Sequence, residues 1–245
     1  MYIDENFNIT NGETAQDRLL KTVYSNAFLR LLIKPLTLPV VSKIAGRFLD
    51  SRLSYHLIQP FIKANKIDMR EYEPKRYVSF NDFFTRRIRN GSRPINKDAK
   101  VISPCDGKVS AYKINDDSIF EIKHSLYSVR SLTKSKTLSE KFKGGTAVII
   151  RLCVDDYHRY CYPISGVKST NVSIPGFLHT VNPAALEKEK VFIENSREYC
   201  LIKNKDTKLV QIEVGALMVG KISNNEMFAL SLIHISEPTR LRRIS

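Results

Sequence analysis

The chain has 245 residues, enough for one good-sized core with a small helical appendage rather than two equal domains. Its hydrophobic fraction of 42% indicates a globular protein and excludes a disordered one. Lysine and arginine number 39 against 25 aspartate and glutamate residues, a formal net charge of +14. This charge favours an anionic partner, and nucleic acid, a negatively charged bilayer and an acidic small molecule all remain open.

The four cysteines indicate reduced thiols in a cytosolic setting. They form no CxxC pair and no Cys/His ligand spacing, so the sequence predicts no metal site; they are Cys105, Cys153, Cys161 and Cys200. The first ten residues lack the basic start and apolar centre of a secretion signal. No uncharged run approaches the roughly 20 residues that a membrane span requires.

Residues 1–70 are predicted to form a helical segment that faces a membrane. From about residue 17, apolar side chains recur at three- and four-residue spacing with basic residues between them, which is typical of an amphipathic helix. Pro35 and Pro39 interrupt this pattern, and a second amphipathic piece follows from about Val41 to Ile67. Such helices can pack on a protein core or lie on a bilayer, and the positive charge slightly favours the bilayer.

Residues 71–229 are predicted to form a β-rich domain of short strands bounded by turn residues. The candidate strands are residues 108–114, 118–123, 145–154, 166–174, 197–203 and 208–222. Helix is predicted at 80–88 and around 127–132. The fold class is therefore α+β, with N-terminal amphipathic helices followed by a mainly antiparallel β-rich domain. Residues 230–245 follow neither pattern and are predicted to be an attached tail.

The segment ISPCDG (102–107) is a tight turn that leads directly into a predicted strand. An aspartate before glycine in a turn commonly bonds to the local backbone, and this alternative applies to Asp106. A carboxylate held rigidly at the mouth of a strand can also orient an imidazole. Both interpretations of Asp106 remain open at this point.

The segment VDDYHRYCYP (154–163) ends a buried strand with several charged side chains. A solitary histidine such as His158 is often a satisfied residue at the end of a strand. However, Asp155, Asp156 and Arg159 are costly to bury without partners. These neighbours weaken the structural interpretation of His158, and both interpretations remain open at this point.

Several segments in the same order and spacing resemble the phosphatidylserine decarboxylase proenzymes. They are FNDFFTRRI (80–88), RPI (93–95), ISPCDGKV (102–109), GGTAVIIRLCVDDYHRYCYPISG (144–166), GFLHTVNPAAL (176–186), VFIENSREY (191–199) and VQIEVGALMVGKI (210–222). Several independent motifs in the correct order are far more specific than any one of them. The resemblance covers more than half of the chain.

The resemblance implies an enzyme that removes CO2 from phosphatidylserine to give phosphatidylethanolamine, at the cytoplasmic face of the cell membrane. In that family, a serine after glycine attacks the preceding carbonyl, and the resulting cleavage leaves a pyruvoyl group as the electron sink for decarboxylation. A neutral hydroxyl needs an adjacent base that a carboxylate orients. The resemblance therefore implies two catalytic residues, with His158 as base or later proton carrier and Asp106 as its orienting partner.

Two departures from the family pattern change these expectations. Cys161 stands where members often carry a second histidine, so His158 can serve self-cleavage, decarboxylation or both. Cys161 itself is expected to be packed and inert unless a positive neighbour such as Arg159 lowers its pKa. The family's Gly-Ser strand is missing after residue 222, because the only Gly-Ser pair is Gly91–Ser92. The chain is therefore expected neither to cleave itself nor to decarboxylate.

Two other functions compete with this one. The chain can be a catalytically dead, lipid-binding remnant of the same fold, or less plausibly a basic protein that binds nucleic acid. The basic loop RRIRNGSRPINKDAK (86–100) is typical of a solvated face, and it also suits an anionic leaflet. Because no RNP-type aromatic motif is present, phosphatidylserine in an anionic membrane is the expected partner and nucleic acid is not. The oligomeric state stays open.

Overall fold

The computed structural model describes residues 2–3, 9–10, 22–96, 98–122, 125–181, 190–217, 219–220, 222–223 and 242–244. Its N-terminal part is helical after a short hairpin, as the spacing of apolar residues predicts. The elements are β1 (Tyr2–Ile3), β2 (Ile9–Thr10), α1 (Ala27–Ile33), a 3₁₀ helix (Lys34–Thr37), α2 (Pro39–Asp50), 3₁₀ (Arg52–Leu57), α3 (Ile58–Asn65) and 3₁₀ (Met69–Glu71).

The two prolines separate α1 from α2, as the sequence predicts. Pro35 lies in the 3₁₀ turn after α1, and Pro39 is the first residue of α2, where a missing N–H leaves no bond unmade. No residue of α2 is buried. Among the described residues, no helix is both long and apolar enough to cross a bilayer.

The rest of the chain consists of small antiparallel sheets with short helices. The helices are α4 (Phe80–Phe84), α5 (Val129–Thr133), α6 (Lys136–Lys141) and α7 (Val191–Glu194). The strands are β3 (Lys108–Lys113), β4 (Ile119–Ile122), β5 (Ser125–Ser128), β6 (Thr146–Arg151), β7 (Arg159–Tyr160), β8 (Val167–Lys168), β9 (Val172–Ile174), β10 (Arg197–Lys203), β11 (Lys208–Val214), β12 (Ile222–Ser223) and β13 (Arg242–Ile244). These elements confirm the predicted α+β class.

The strands pair in a simple order. β3 pairs with β6, β4 pairs with β5, and β10 lies between β11 on one side and β8 and β9 on the other. β13 lies between β7 and β12. All of these pairs are antiparallel.

Several predicted elements have different bounds in the structure. The strand predicted over 208–222 ends at Val214, because Ala216 and Val219 exchange backbone hydrogen bonds across a tight turn just after it. The run predicted over 166–174 forms two short strands, β8 and β9. The helix predicted over 80–88 ends at Phe84, since the residues that follow turn inward to the core. The sequence did not predict α6 or α7.

Two apolar clusters form the core of the β-rich part. The larger cluster joins β4, β5 and α5 through Ile114, Phe120, Ile122, Tyr127 and Val129. The second joins the segment after β7 to β10 through Tyr162, Ile164, Cys200 and Ile202. Each large apolar side chain contributes about 1.5–3 kcal/mol when it is fully buried. The second cluster therefore holds the chain that follows His158 in a fixed position.

Helix α4 joins the N-terminal helices to the β-rich part. The N–H of Phe80 donates a hydrogen bond to Ser54 Oγ at 2.8 Å, and Asn81 Nδ2 donates to Asp50 Oδ1 at 3.0 Å. The rings of Phe61 and Phe80 meet edge to face with centroids 5.0 Å apart. The N-terminal helices are therefore docked on the element that leads directly into the FFTRR segment.

An acidic pair with one buried member lies across β10 and β11. Glu213 is buried and lies directly opposite Glu198. Burial, and to a smaller degree the charge of Glu198, raises the pKa of Glu213 to about 8, so this carboxyl is mostly protonated at neutral pH. Gln211 Nε2 donates a hydrogen bond to Glu213 Oε1 at 2.9 Å. The retained proton relieves the repulsion between two cross-strand carboxylates.

Candidate functional site

The two segments that carry the predicted site residues lie side by side. The N–H of Ile102 donates a hydrogen bond to Pro163 O at 2.9 Å, and the N–H of Cys161 donates to Pro104 O at 2.7 Å. Strand β3 begins just after the ISPCDG turn, and β6 ends just before VDDYHR, with Lys108 opposite Arg151. Asp106 and His158 therefore lie at the same end of this strand pair.

The ISPCDG turn requires glycine at its last position. Gly107 has φ of +136°, a conformation that side chains disfavour. A Cβ atom at Gly107 would lie 2.8 Å from the carbonyl oxygen of Arg151, which is part of the neighbouring strand backbone. The close approach brings Asp106 against the end of β6.

Asp106 is held by an arginine that the sequence did not assign to it. Arg93 Nε donates to Asp106 Oδ1 at 3.0 Å and Arg93 Nη2 donates to Asp106 Oδ2 at 2.8 Å, which makes a bidentate ion pair. Arg93 Nη1 also donates to Glu71 Oε2 at 3.0 Å. The hydrogen bond with Asp106 is the main cause that raises the pKa of Arg93. Asp106 thus carries a charged partner from the predicted basic loop.

His158 is a buried, neutral imidazole. Its ring lies against the ring of Phe84 with centroids 4.2 Å apart, and 5% of the residue is exposed. Burial lowers its pKa to about 4. His158 Nδ1 lies 2.9 Å from the carbonyl oxygen of Asp156. Because a carbonyl can only accept, Nδ1 carries the hydrogen and Nε2 carries the free lone pair.

Asp106 and His158 have different hydrogen-bond partners in this structure. Nδ1 of the imidazole bonds to the Asp156 carbonyl, and the Asp106 carboxylate bonds to Arg93. No hydrogen bond joins the two side chains in the described part of the chain. The predicted catalytic roles of both residues, including orientation of His158 by Asp106, therefore stay predictions.

The charged residues around His158 all meet partners or solvent. Arg159 Nε and Nη2 donate to Thr85 O at 3.0 and 2.7 Å. Asp156 Oδ2 accepts a hydrogen bond from the N–H of Cys153 at 2.5 Å, and Asp155 is exposed. Because Arg159 and Asp156 have hydrogen-bond partners and Asp155 is exposed, none of them carries the cost of burying an unpartnered charge.

The thiols near the site are protonated. Burial raises the pKa of Cys161 to about 11 and that of Cys105 to about 12. All four cysteines are free, as the sequence predicts. A thiol with such a pKa offers almost no thiolate at neutral pH, which supports the prediction that Cys161 is inert, although the residue is only partly buried.

The basic loop 86–100 is not a uniform surface patch. Arg86 is 2% exposed and Arg93 is paired with Asp106, so the prediction of a solvated face is wrong for Arg86. Sequence reasoning missed Arg86 and Arg93 as neighbours of the site. No local signal marks Arg86, because a buried arginine that follows aromatic residues has the same sequence pattern as an exposed one.

The sequence pattern of the phosphatidylserine decarboxylase family matches residues 80–243 of the chain. Phosphatidylserine decarboxylase proenzyme 2 of Clostridium acetobutylicum is 45% identical over 211 residues, which are 85% of this chain and 72% of that protein. The proenzyme of Clostridium novyi is 38% identical over 220 residues, 86% and 74% of the two chains. The proenzyme of Clostridium beijerinckii is 42% identical over 187 residues, 74% of this chain and 63% of that protein.

These relatives place the chain in the class of carboxy-lyases that are made as proenzymes. The chain belongs to the phosphatidylserine decarboxylase family. This family depends on a pyruvoyl group. The sequence given contains one Gly-Ser pair, Gly91–Ser92, and Gly91 lies exposed in a turn with φ of +88°.

Proposed function

We propose that this chain is a form of the phosphatidylserine decarboxylase precursor, whose mature enzyme converts phosphatidylserine to phosphatidylethanolamine and CO2. The observation that carries the proposal is the family match over residues 80–243. The neutral imidazole of His158, with Nε2 free to accept a proton, is the chemistry that such a precursor needs beside a serine hydroxyl.

In the proposed self-cleavage, a serine hydroxyl would lie beside Nε2 of His158. His158 would take the proton of this hydroxyl. Asp106 is the proposed carboxylate for that state, because its turn is hydrogen-bonded to the segment that follows His158.

A chimera tests the proposal. The residues after Ser223 are replaced by the corresponding C-terminal segment of the Clostridium acetobutylicum relative. We expect the chimera to split into two chains and to release CO2 from phosphatidylserine vesicles. A polypeptide of the present sequence is expected to stay whole at 28.1 kDa, as intact mass spectrometry would show.

A serine-to-alanine change in the added Gly-Ser pair is the matched control and should leave the chimera whole. A chimera that folds but never splits and never releases CO2 would instead favour the catalytically dead, lipid-binding remnant. This second candidate is kept because the one Gly-Ser pair of the present sequence is Gly91–Ser92, in the basic loop.

The partner that we propose is an anionic bilayer, on which the protein lies peripherally at the cytoplasmic side. The N-terminal helices expose large apolar side chains, which we name the apolar helix face. It consists of Phe28, Leu31, Leu32, Leu36, Val40, Ile44, Phe48 and Leu53. Val40, Ile44 and Phe48 follow at four-residue intervals along α2 and share one stripe.

The charge of this region favours lipid as the occupant. Residues 27–57 contain the basic side chains Arg30, Lys34, Lys43, Arg47 and Arg52 and a single acidic one, Asp50. Each basic residue near an anionic surface contributes about 1 kcal/mol of attraction. An exposed apolar stripe flanked by basic residues is the usual chemistry of a helix that lies in the membrane interface.

Val40→Asp is expected to weaken binding to phosphatidylserine-containing vesicles about 10-fold or more, because a buried valine is worth about 1.5–3 kcal/mol. The fold should tolerate the change, since Val40 is exposed and an aspartate suits the first turn of α2. Vesicle co-sedimentation measures the effect.

The same substitution at Val101, which is exposed in a loop of the β-rich part, is the matched control and should leave binding unchanged. Equal loss in both variants would show that the apolar helix face is not the docking surface. Stronger binding to duplex DNA than to these vesicles at physiological salt would favour the nucleic-acid alternative.

A further inference from the structure

Arg86 is a buried cation that forms no ion pair within the described residues. It is 2% exposed, and its guanidinium carbon lies 4.3 Å from the ring centroid of Tyr72 and 5.0 Å from that of Phe83. Burying a charge is costly unless other groups compensate it. The two aromatic faces supply part of this compensation through cation–π contacts.

Part of the remaining compensation comes from the loop that carries His158, while Arg86 Nε and Nη1 have no hydrogen-bond partner among the described residues. Arg86 Nη2 donates to Tyr72 Oη at 3.1 Å, to Asp155 O at 3.2 Å and to Asp156 O at 3.4 Å. The carbonyl of Asp156 also accepts the hydrogen of His158 Nδ1 at 2.9 Å. A carbonyl oxygen has two lone pairs, so Arg86 and the imidazole can share this acceptor.

We propose that Arg86 is a positioning residue for His158, because it fixes the Asp156 carbonyl that selects the neutral Nδ1–H tautomer and leaves Nε2 free. The use of this nitrogen in catalysis rests on the proposed function, whereas the positioning itself is a property of the folded chain. Phe84 packs on the ring, and Arg159 ties the next residue to Thr85 O, so one segment, residues 84–86, holds the imidazole from several sides.

The groups around the imidazole shift the pKa of His158 in opposite directions. Burial is the main cause that lowers the pKa of His158, the Asp156 carbonyl opposes it, the positive charge of Arg86 lowers it further, and the negative charge of Asp155 raises it. Removing the Arg86 guanidinium leaves the Asp156 carbonyl unfixed, and this changes the tautomer. The effects on the pKa oppose each other, because a positive charge that lowers the pKa and an anchored carbonyl that raises it are lost together. A purely structural role for Arg86 predicts no change of tautomer.

Nitrogen-15 NMR of histidine-labelled chain tests the proposal without any catalytic step. The His158 signal is assigned with His158→Asn, and its tautomer and titration are followed in the parent, in Arg86→Met and in Arg86→Lys. In the parent we expect the Nδ1–H tautomer and no titration above about pH 5. In Arg86→Met we expect a mixture of the two tautomers, because the Asp156 carbonyl is no longer fixed by the guanidinium.

Arg86→Lys separates position from charge. Lysine keeps the positive charge but has a compact ammonium group instead of a planar fork, so the tautomer should become mixed although the charge is retained. If either variant folds and shows the parent tautomer, the proposal is overturned and Arg86 is only structural.

Tyr72→Phe keeps the test decisive if Arg86→Met fails to fold. It removes the hydroxyl that accepts from Arg86 and keeps the aromatic face, so the carbonyl contact should loosen and the tautomer should shift in the same direction. An unchanged His158 signal in Tyr72→Phe and in Arg86→Lys would contradict the positioning role. Since every measurement uses the present chain, its outcome is independent of whether the chimera cleaves itself.

Discussion

His158→Asn, placed in the chimera that carries the added Gly-Ser segment, is expected to slow self-cleavage by about 10²–10⁴-fold. This is the usual contribution of a positioned base. Asparagine has a side-chain N–H that can still donate to the Asp156 carbonyl, but it has no basic nitrogen to replace Nε2. The rate is measured from the appearance of the two fragments over time by intact mass.

The pH profile of the same reaction tests the state of the imidazole. The base must be neutral, and the folded pKa of His158 is about 4. The cleavage rate should therefore stay level from neutral pH down to about pH 5 and fall as the pH drops through about 4. A midpoint near 6.5, the ordinary value for histidine, would show that His158 is not held in the buried state described here.

Two further variants separate the roles in this reaction. His56→Asn, an exposed histidine in the N-terminal helices, is the matched control and should leave the cleavage rate unchanged. Asp106→Asn should slow cleavage strongly if its carboxylate acts with His158, and only slightly if its role ends at the pair with Arg93. A His158→Asn chimera that cleaves at the parent rate would remove His158 from the mechanism.

Arg197→Met is expected to lower the free energy of unfolding by about 3–5 kcal/mol. Arg197 is 1% exposed, and its guanidinium joins α5 to α7 through four carbonyl groups. Its nitrogen atoms donate to Leu132 O at 2.7 Å, Ser131 O at 3.0 Å, Ile193 O at 2.8 Å and Asn195 O at 3.0 Å. Methionine fills the space but leaves these buried acceptors without a donor.

Thermal unfolding measures this loss, and we expect the Tm to fall by about 10 °C for a chain of this length. Arg197→Lys keeps the charge but cannot reach all four carbonyls, so it should recover only part of the loss. Arg76→Met, at an exposed position, should change stability by less than about 0.5 kcal/mol. A Tm for Arg197→Met that equals that of Arg76→Met would contradict the expectation.

The spacing of apolar residues predicted correctly those helices and strands whose formation depends on residues close together in the chain. The helical N-terminal part and the strands β3, β6 and β10 follow from periodicity, and β10 has the predicted bounds, residues 197–203. The strand predicted over 208–222 was too long, because the turn that joins Ala216 to Val219 ends it at Val214, and the sequence pattern does not mark this turn. The helix α6 was missed because its six residues show no full apolar period.

The candidate site likewise combines residues that the sequence predicted with contacts that only the structure shows. The motifs singled out Asp106 and His158, and the structure brings their segments together through the bonds of Ile102 and Cys161. The interpretation of loop 86–100 as a charged surface failed at Arg86, since a buried arginine in an aromatic sandwich has the same sequence signature as an exposed one. The Arg93 contact with Asp106 joins residues 13 positions apart, and no local rule specifies it.

The amino-acid sequence by itself determined the α+β class, the amphipathic N-terminal helices, the family and the absence of a Gly-Ser pair other than Gly91–Ser92. The tertiary structure alone decided that His158 is neutral with Nε2 free, and that Asp106 is held by Arg93. The reason is physical. Periodicity and turn chemistry act between neighbours in the chain, whereas burial, shared carbonyl acceptors and ion pairs depend on which distant segments pack together.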